Sequence, residues 1–443
     1  MFGLASAWSP FVLELKKITV SIINHRSSVE NLSVALLTGG GDRPYVFGLV
    51  MALVSKRVSV DLIGSDELDR WEIHGRPGVN FFNLRGNQRP DADLPTKVFR
   101  VLRYYAKLIC YSAKAKPRIF HILWNNKFEL FDRTLLMLYY KLLGKKIVLT
   151  AHNVNEGKRD SADTLLNRLT LRIQYRLADH IFVHTEKMKC ELIEEFGVKG
   201  RRVTVVPFGI NNSVPNTSLT ANEARQRLGI RDDERTLLFF GRIRPSKGLE
   251  YLTAAFRQVL DQRKDYRLVI VGSPDKCESY WAAIRESIRE HVDRGRVLLR
   301  PYFIPDEETE VYFKAADVLV LPYLSIFQSG VLFLAYSFGL PVLAADVGSM
   351  KDEIAEGKTG LVFKPGDPVD LAKAIERYFA SDLYQALASR RQEIRDYATK
   401  RHSWDVVGHM TTSVYADLLQ TPSPQEPLKR DTSNASVDVE ASS

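Results

Sequence analysis

Cysteine is scarce in this chain: Cys110, Cys190 and Cys277 are the only three in 443 residues, odd in number, far apart and without metal-ligand spacing. This excludes a disulfide framework and a cysteine metal centre, and it suits a reducing compartment with reduced, partly buried thiols. Long hydrophobic runs are missing too. Nowhere do about twenty apolar residues follow one another, so no spanning helix is expected. The opening segment 1–30 holds two weak apolar stretches, 11–15 and 18–23, broken by Lys16 and Lys17. That is too poor for a signal peptide and reads as a loose leader. Two nucleotide fingerprints are also absent. Thr38-Gly39-Gly40-Gly41-Asp42 lacks the G-x-G-x-x-G spacing, and the 241–248 loop lacks the Gly-Lys-Ser/Thr block of a P-loop.

What is present is a soluble globular composition, 45% hydrophobic and 26% charged, long enough for two domains with full cores. The charge of +9 is uneven, with 32 Lys and Arg against 20 Asp and Glu in residues 1–210, a surplus of +12, leaving −3 for the rest. Such asymmetry fits either a solvated basic surface or an acidic partner, whether nucleic acid, anionic membrane or phosphorylated substrate. A basic amphipathic helix over 97–116 places Val98, Val101, Leu102, Tyr105, Leu108 and Ile109 on one side. It reads as a helix docked on its sheet or as one lying on anionic lipid. Nucleic acid is disfavoured, because no known module is visible and Tyr104, Tyr105, Tyr139 and Tyr140 fall at core-like positions.

Apolar periodicity predicts strands over 32–37, 58–63, 79–84, 119–123, 147–150, 180–184 and 203–206, then a polar linker over 211–220. The pattern restarts with strands over 236–240, 267–271, 297–299, 318–321 and 342–344. Helices are expected over 46–54, 132–143, 249–261, 281–292 and 368–380, and over 382–419 with a break at Arg401-His402-Ser403-Trp404. Segment 421–443 is polar and expected to be disordered. The class is α/β with two doubly wound units.

Three places carry chemistry. The strand over 318–321 ends at Pro322, and after a polar loop Gly330 opens an apolar helix that stops at Gly339. Free N–H groups and the helix dipole make such a start a good place to hold an anion, although a purely structural junction is the alternative. The loop Gly241-Arg242-Ile243-Arg244-Pro245-Ser246-Lys247-Gly248 follows a strand and brings cations suited to a diphosphate. His152 comes directly after a buried strand, at the sheet edge where open α/β folds bind ligands, although a structural histidine is the alternative. Asp91-Ala92-Asp93 lies in a Pro-bounded loop and is not taken as a metal site.

Several spaced motifs occur in a fixed order: Pro207-Phe208-Gly209-Ile210-Asn211, Phe240-Gly241-Arg242 with Lys247-Gly248, Ala316-Asp317-Val318, Gly339-Leu340-Pro341-Val342 with Asp346-Val347-Gly348, and Gly357-Lys358-Thr359-Gly360. Over roughly 32–419 they resemble the retaining glycosyltransferases of family 4, with the GT-B fold. The resemblance implies two Rossmann-like domains facing across a cleft, with a C-terminal helix returning to the first. The boundaries expected are 31–210 for the acceptor-side domain, 211–395 for the nucleotide-sugar domain and 396–420 for the helical return.

By the same resemblance, Arg242 and Lys247 bind the donor diphosphate, Gly40 and Gly41 approach it from the first domain, and His152 sits beside the donor sugar. The Ser329, Gly330 and Val331 amides cap the phosphate, and Asp352 or its neighbour Glu353 supplies a carboxylate. The family carries paired glutamates here, but this chain has Ile326 and Leu334 in their places. Gln328 and Ser329 are expected to take over sugar contacts.

The function implied is metal-independent transfer of a sugar, with retention, from a nucleoside diphosphate sugar to a glycan or lipid-linked acceptor in cell-surface polysaccharide or glycolipid assembly, with no cofactor. The protein is expected to be cytoplasmic, with peripheral contact at the inner membrane face through 97–116. Two alternatives stay open: a noncatalytic sugar-nucleotide-binding partner, favoured by Leu334, and a GT-B sugar-nucleotide epimerase.

Overall fold

The computed structural model describes residues 32–88, 92–126, 128–159, 163–210, 214–275, 277–326 and 328–420. The expected leader and tail, Asp91 and Asn211 lie outside these residues.

Two all-parallel sheets carry the chain. The first has seven strands in the order β3-β2-β1-β4-β5-β6-β7 and the second six, in the order β10-β9-β8-β11-β12-β13. The strands of the first sheet are β1 (Ser33–Leu37), β2 (Ser59–Gly64), β3 (Val79–Asn83), β4 (Ile119–Ile122), β5 (Lys146–Thr150), β6 (His180–Val183) and β7 (Val203–Val205). Those of the second are β8 (Arg235–Phe240), β9 (Tyr266–Val271), β10 (Val297–Arg300), β11 (Val318–Leu321), β12 (Val342–Ala345) and β13 (Gly360–Phe363). Val, Ile and Leu dominate because a parallel sheet is covered on both faces, as the burial of all of 318–321 and 342–345 shows. Strand order reverses at β1 and at β8, so each sheet opens a crevice at its carboxyl edge there.

Right-handed crossovers put the helix Arg43–Ser55 on one face of the first sheet and the helices between β3 and β6 on the other. The two cores reflect this: Tyr45, Leu49, Val60 and Tyr415 pack in one, and Tyr105, Phe120, Met137 and Tyr175 in the other. The last helix, Trp404–Gln420, crosses back and lies on Arg43–Ser55, with Tyr415 Oη 2.6 Å from His121 Nδ1. Trp404 wedges between Gly48 and Gly209, where an added Cβ would come within 2.1 and 2.3 Å of its ring, and its indole donates to Ile210 O at 2.8 Å. The chain thus returns to the first domain after Arg401, where the break was expected.

Some elements differ from expectation. β13 is a strand, and Leu165–Leu177, Glu186–Phe196, Ala221–Leu228 and Asp306–Ala315 are helices that sequence reading does not name. The helix expected over 132–143 starts at Glu129 and passes through a π turn at 132–136. Cys110 and Cys190 are exposed, and Cys277 alone of the three is buried.

Candidate active site

Both reversal points open onto one cleft. On the first-domain side, β1 runs into Gly39 and Gly40, both left-handed at φ 57° and 80°, and Asp42 caps the Arg43–Ser55 helix by accepting from Tyr45 N at 3.4 Å. Glycine is required there by the protein itself. A Cβ on Gly39 would meet Trp124 O at 2.1 Å, and one on Gly41 the Trp124 ring at 1.9 Å. Arg43 crosses the cleft to pair with Asp306 of the second domain.

On the second-domain side, Gly241 follows β8 and the 245–247 turn delivers Lys247. Gly248 must be glycine, because at φ 62° its Cβ would stand 2.0 Å from Pro322 O. That close approach fixes the Lys247 loop against the end of β11, and Lys247 Nζ lies 3.6 Å above the Tyr323 ring centroid. From β11 the chain reaches Ser329, whose side chain makes no cap to the Gly330–Ser337 helix, although its carbonyl accepts from Leu332 N at 3.2 Å. The atom nearest to a Cβ at Gly330 is Asp42 Oδ2, at 3.7 Å. Asp42 stays open to solvent as a residue, and partial desolvation of its carboxyl raises the pKa while Tyr45 N–H and Arg43 pull it down.

These walls enclose a cavity of about 300 Å³ lined by Asp42, Tyr45, Phe208 and Trp404 on one side and by Lys247, Gln328, Ser329, Gly330, Val331, Ile326 and Leu334 on the other. Both amide atoms of Gln328 are buried without a partner, an unusual state for a polar group unless a ligand meets it. Leu334, the position of the absent glutamate, is 6% exposed and forms apolar wall with Ile326 and Val331.

His152 stands next to this cavity, behind Tyr45. Its ring stacks on Trp124 at 4.0 Å and 7°, and Tyr45 meets it edge-on at 4.7 Å. His184 Nδ1 lies 3.2 Å from Val206 O, which accepts only, so that nitrogen carries the proton. His184 Nε2 therefore accepts from His152 Nδ1, 3.0 Å away, and His152 Nε2 is left as a lone pair, buried and unpartnered. Burial, with His184 and His121 adding, pushes the His152 pKa well below the usual range, and burial pushes His184 down to about 4. His152 is thus a neutral hydrogen-bond acceptor, not a cation. It lines a second, polar cavity of about 120 Å³ with Asn125, Arg133, Asn153 and Gln174.

Of the residues singled out in the sequence, Lys247, Gln328, Ser329, Gly330 and Val331 line one cavity. Gly40 and Gly41 back onto Arg85 and Trp124, while Arg242 points outward, 72% exposed and 3.6 Å from Asp275. Asp352 is exposed. Its neighbour Glu353 is buried, with Oε2 3.1 Å from His402 Nε2. Asp42, Tyr45, Trp124 and Trp404 were not singled out as site residues. Asp42 carried a signal, since an acidic N-cap after three glycines at a strand end faces the crevice by construction. Among the described residues no cluster of His, Cys, Asp and Glu could hold a metal ion.

Residues 39–214 match the domain family described as Glycosyltransferase Family 4, and residues 234–381 match that described as Glycosyl transferases group 1. A D-inositol 3-phosphate glycosyltransferase of Streptomyces avermitilis is 30% identical over 250 residues, covering 55% of this chain. The match spans about half of that relative, 53% of its length. Among solved structures, the sucrose-phosphate synthase of Thermosynechococcus elongatus superposes with a TM-score of 0.69 at 20% identity, over 88% of this chain and 99% of that one. The Anabaena protein Alr3699/HepE, solved in complex with UDP and glucose, gives 0.66 at 17% identity over 86% and 98%. The first domain thus matches the Glycosyltransferase Family 4 domains and the second those of group 1, and the chain has the two-domain GT-B fold.

Proposed function

We propose that this protein transfers a sugar from a nucleoside diphosphate sugar to a hydroxyl of a glycan or lipid-linked acceptor, in the cytoplasm, with retention and without a metal, in polysaccharide or glycolipid assembly. The observation that carries the reading is the convergence of Lys247, the Gly330 helix start and the unpartnered Gln328 amide on one interdomain cavity. As the bond to the sugar breaks, negative charge grows on the leaving diphosphate. In this reading Lys247 and the helix N–H groups stabilise it, and closure of the two domains excludes water. The His152 Nε2 lone pair suits a sugar hydroxyl as donor.

The apolar wall of Ile326, Val331 and Leu334 favours a second reading, a noncatalytic sugar-nucleotide-binding partner. A thermal-shift screen with nucleoside diphosphates and their sugars, followed by product analysis with and without acceptor and chelator, separates the readings. Stabilisation with acceptor-dependent release of nucleoside diphosphate supports transfer. Stabilisation without turnover supports the partner reading, product from donor alone supports epimerisation, and no stabilisation by any nucleotide refutes all three.

A further inference from the structure

On the face of the first sheet opposite Arg43–Ser55, three helical segments lie side by side: Leu94–Lys114, the run 129–142 and Leu165–Leu177. Polar bonds join them edge to edge. Tyr105 Oη donates to Asp132 Oδ1 at 2.9 Å, Tyr139 Oη to Ile109 O at 3.0 Å, and Arg133 Nη1 to Asn167 Oδ1 at 2.9 Å. Their inner sides, through Leu108, Met137 and Leu171, are core.

Their outer sides are apolar as well. Val98, Phe99 and Leu102 are exposed on the first segment, Leu135, Leu138 and Leu142 on the second, and Leu165, Leu166 and Leu169 on the third. Within each segment the spacing keeps these residues close to one stripe, so the three stripes form one surface. Among the described residues the second domain exposes Tyr302, Phe303, Leu324 and Val369 but no such rows. A contiguous apolar face of this kind marks an interaction site.

Charge identifies what it meets. Leu94–Lys114 carries Lys97, Arg100, Arg103, Lys107 and Lys114 and no acidic residue, and Leu165–Leu177 carries three arginines and no acidic residue. The acids of the middle segment are used internally: Asp132 is buried on Tyr105, and Glu129 pairs with Arg133.

We propose that this three-helix face is a membrane-docking surface for an anionic bilayer, its leucines entering the headgroup boundary and its cations meeting lipid phosphates. The sequence pointed to one helix, and the fold makes that helix one third of a plane. The polar cavity beside His152 is built partly on two of the same segments, through Arg133, Leu171 and Gln174, which sets it beside the lipid surface.

The test is flotation of the full chain with vesicles of phosphatidylcholine alone or with added phosphatidylglycerol, at low and high salt. Binding to the anionic vesicles at low salt, weakened by salt, is expected. Replacing Leu102→Asp with Leu138→Asp removes it, and Arg100→Ser with Arg172→Ser lowers partitioning by about fivefold per cation. Nucleotide binding and thermal stability of the variants serve as fold controls, since these positions lie away from the interdomain cavity. Absence of binding to anionic vesicles overturns the proposal, as does binding that neither pair alters. So does a dimer in light scattering that the leucine pair dissociates, because the face then belongs to a second copy. Flotation is read without substrate, so its failure leaves the transfer reading standing.

Discussion

Arg225→Met tests how the second domain holds the site, because Arg225 supports the cavity without touching it. Its Nη2 lies 2.8 Å from both oxygens of Asp317, whose Oδ2 also accepts from Thr236 N at 2.7 Å. Its Nη1 donates to Arg231 O and Glu234 O at 3.1 and 2.9 Å. Removing the guanidinium leaves a buried carboxylate with the Thr236 amide as its hydrogen-bond donor and Arg391 as the remaining nearby cation, and two carbonyls without this donor. Breaking a buried pair from one side costs about 3–5 kcal/mol, far above a typical surface substitution.

Desolvation already raises the Asp317 pKa, and Arg225 is the main opposing influence, so the variant raises it further. A carboxyl whose folded pKa is raised favours the fold at low pH and loses that contribution as pH rises through the folded value. The loss should therefore be smaller at mildly acidic than at mildly alkaline pH in urea unfolding. Adding Asp317→Leu should restore much of it, as an apolar pair has no charge to desolvate.

Asp317 directly precedes β11, which pairs with β8 through Val318 with Leu237 and Leu319 with Leu238. The loops that follow those two strands lead to Lys247 and Gly330, so nucleotide affinity should fall with stability. An Arg225→Met chain within about 1 kcal/mol of the parent, or one equally weakened at both pH values, refutes the reasoning.

Two further predictions concern the cleft. Lys247→Ala should weaken nucleoside diphosphate binding by about tenfold to a hundredfold, the range for a bond to a charged group, whereas the exposed, Asp275-paired Arg242 should change it only a few-fold as alanine. Calorimetric titration ranks the two, and the reverse order contradicts the placement. Because burial keeps His152 neutral until well below the usual histidine range, turnover should lose no activity to its protonation near neutral pH. His152→Gln, which keeps an acceptor, should retain more activity than His152→Ala, and a pH–rate profile with both variants decides it.

The two sheets were legible because buried parallel strands are nearly continuous apolar runs, as in 34–37 and 318–321. β13 was not, since Gly360–Phe363 is four residues long with a half-buried middle and follows a polar turn. Asp306–Ala315 hides behind three acidic residues in its first turn, which look like a loop but favour a helix N-terminus. At the site, the Gly330 junction and Lys247 could be found from local chemistry. Trp124 stacked on His152 could not, because the two residues approach only through adjacent strands. The role of Asp317 was equally hidden: as part of a motif it invites a chemical reading, yet its partner Arg225 is 92 residues away.

The wedge of Trp404 between Gly48 and Gly209 also bears on how the chain comes to be folded on the ribosome. The helix that covers Arg43–Ser55 is synthesised after every strand of both sheets. Until it arrives, the outer side of Arg43–Ser55 and the ring of Tyr415's partner His121 lack their cover, so the first domain emerges first and is completed last. A nascent chain halted before Trp404 should therefore resist protease in its second sheet more than in its first, inverting the order of synthesis.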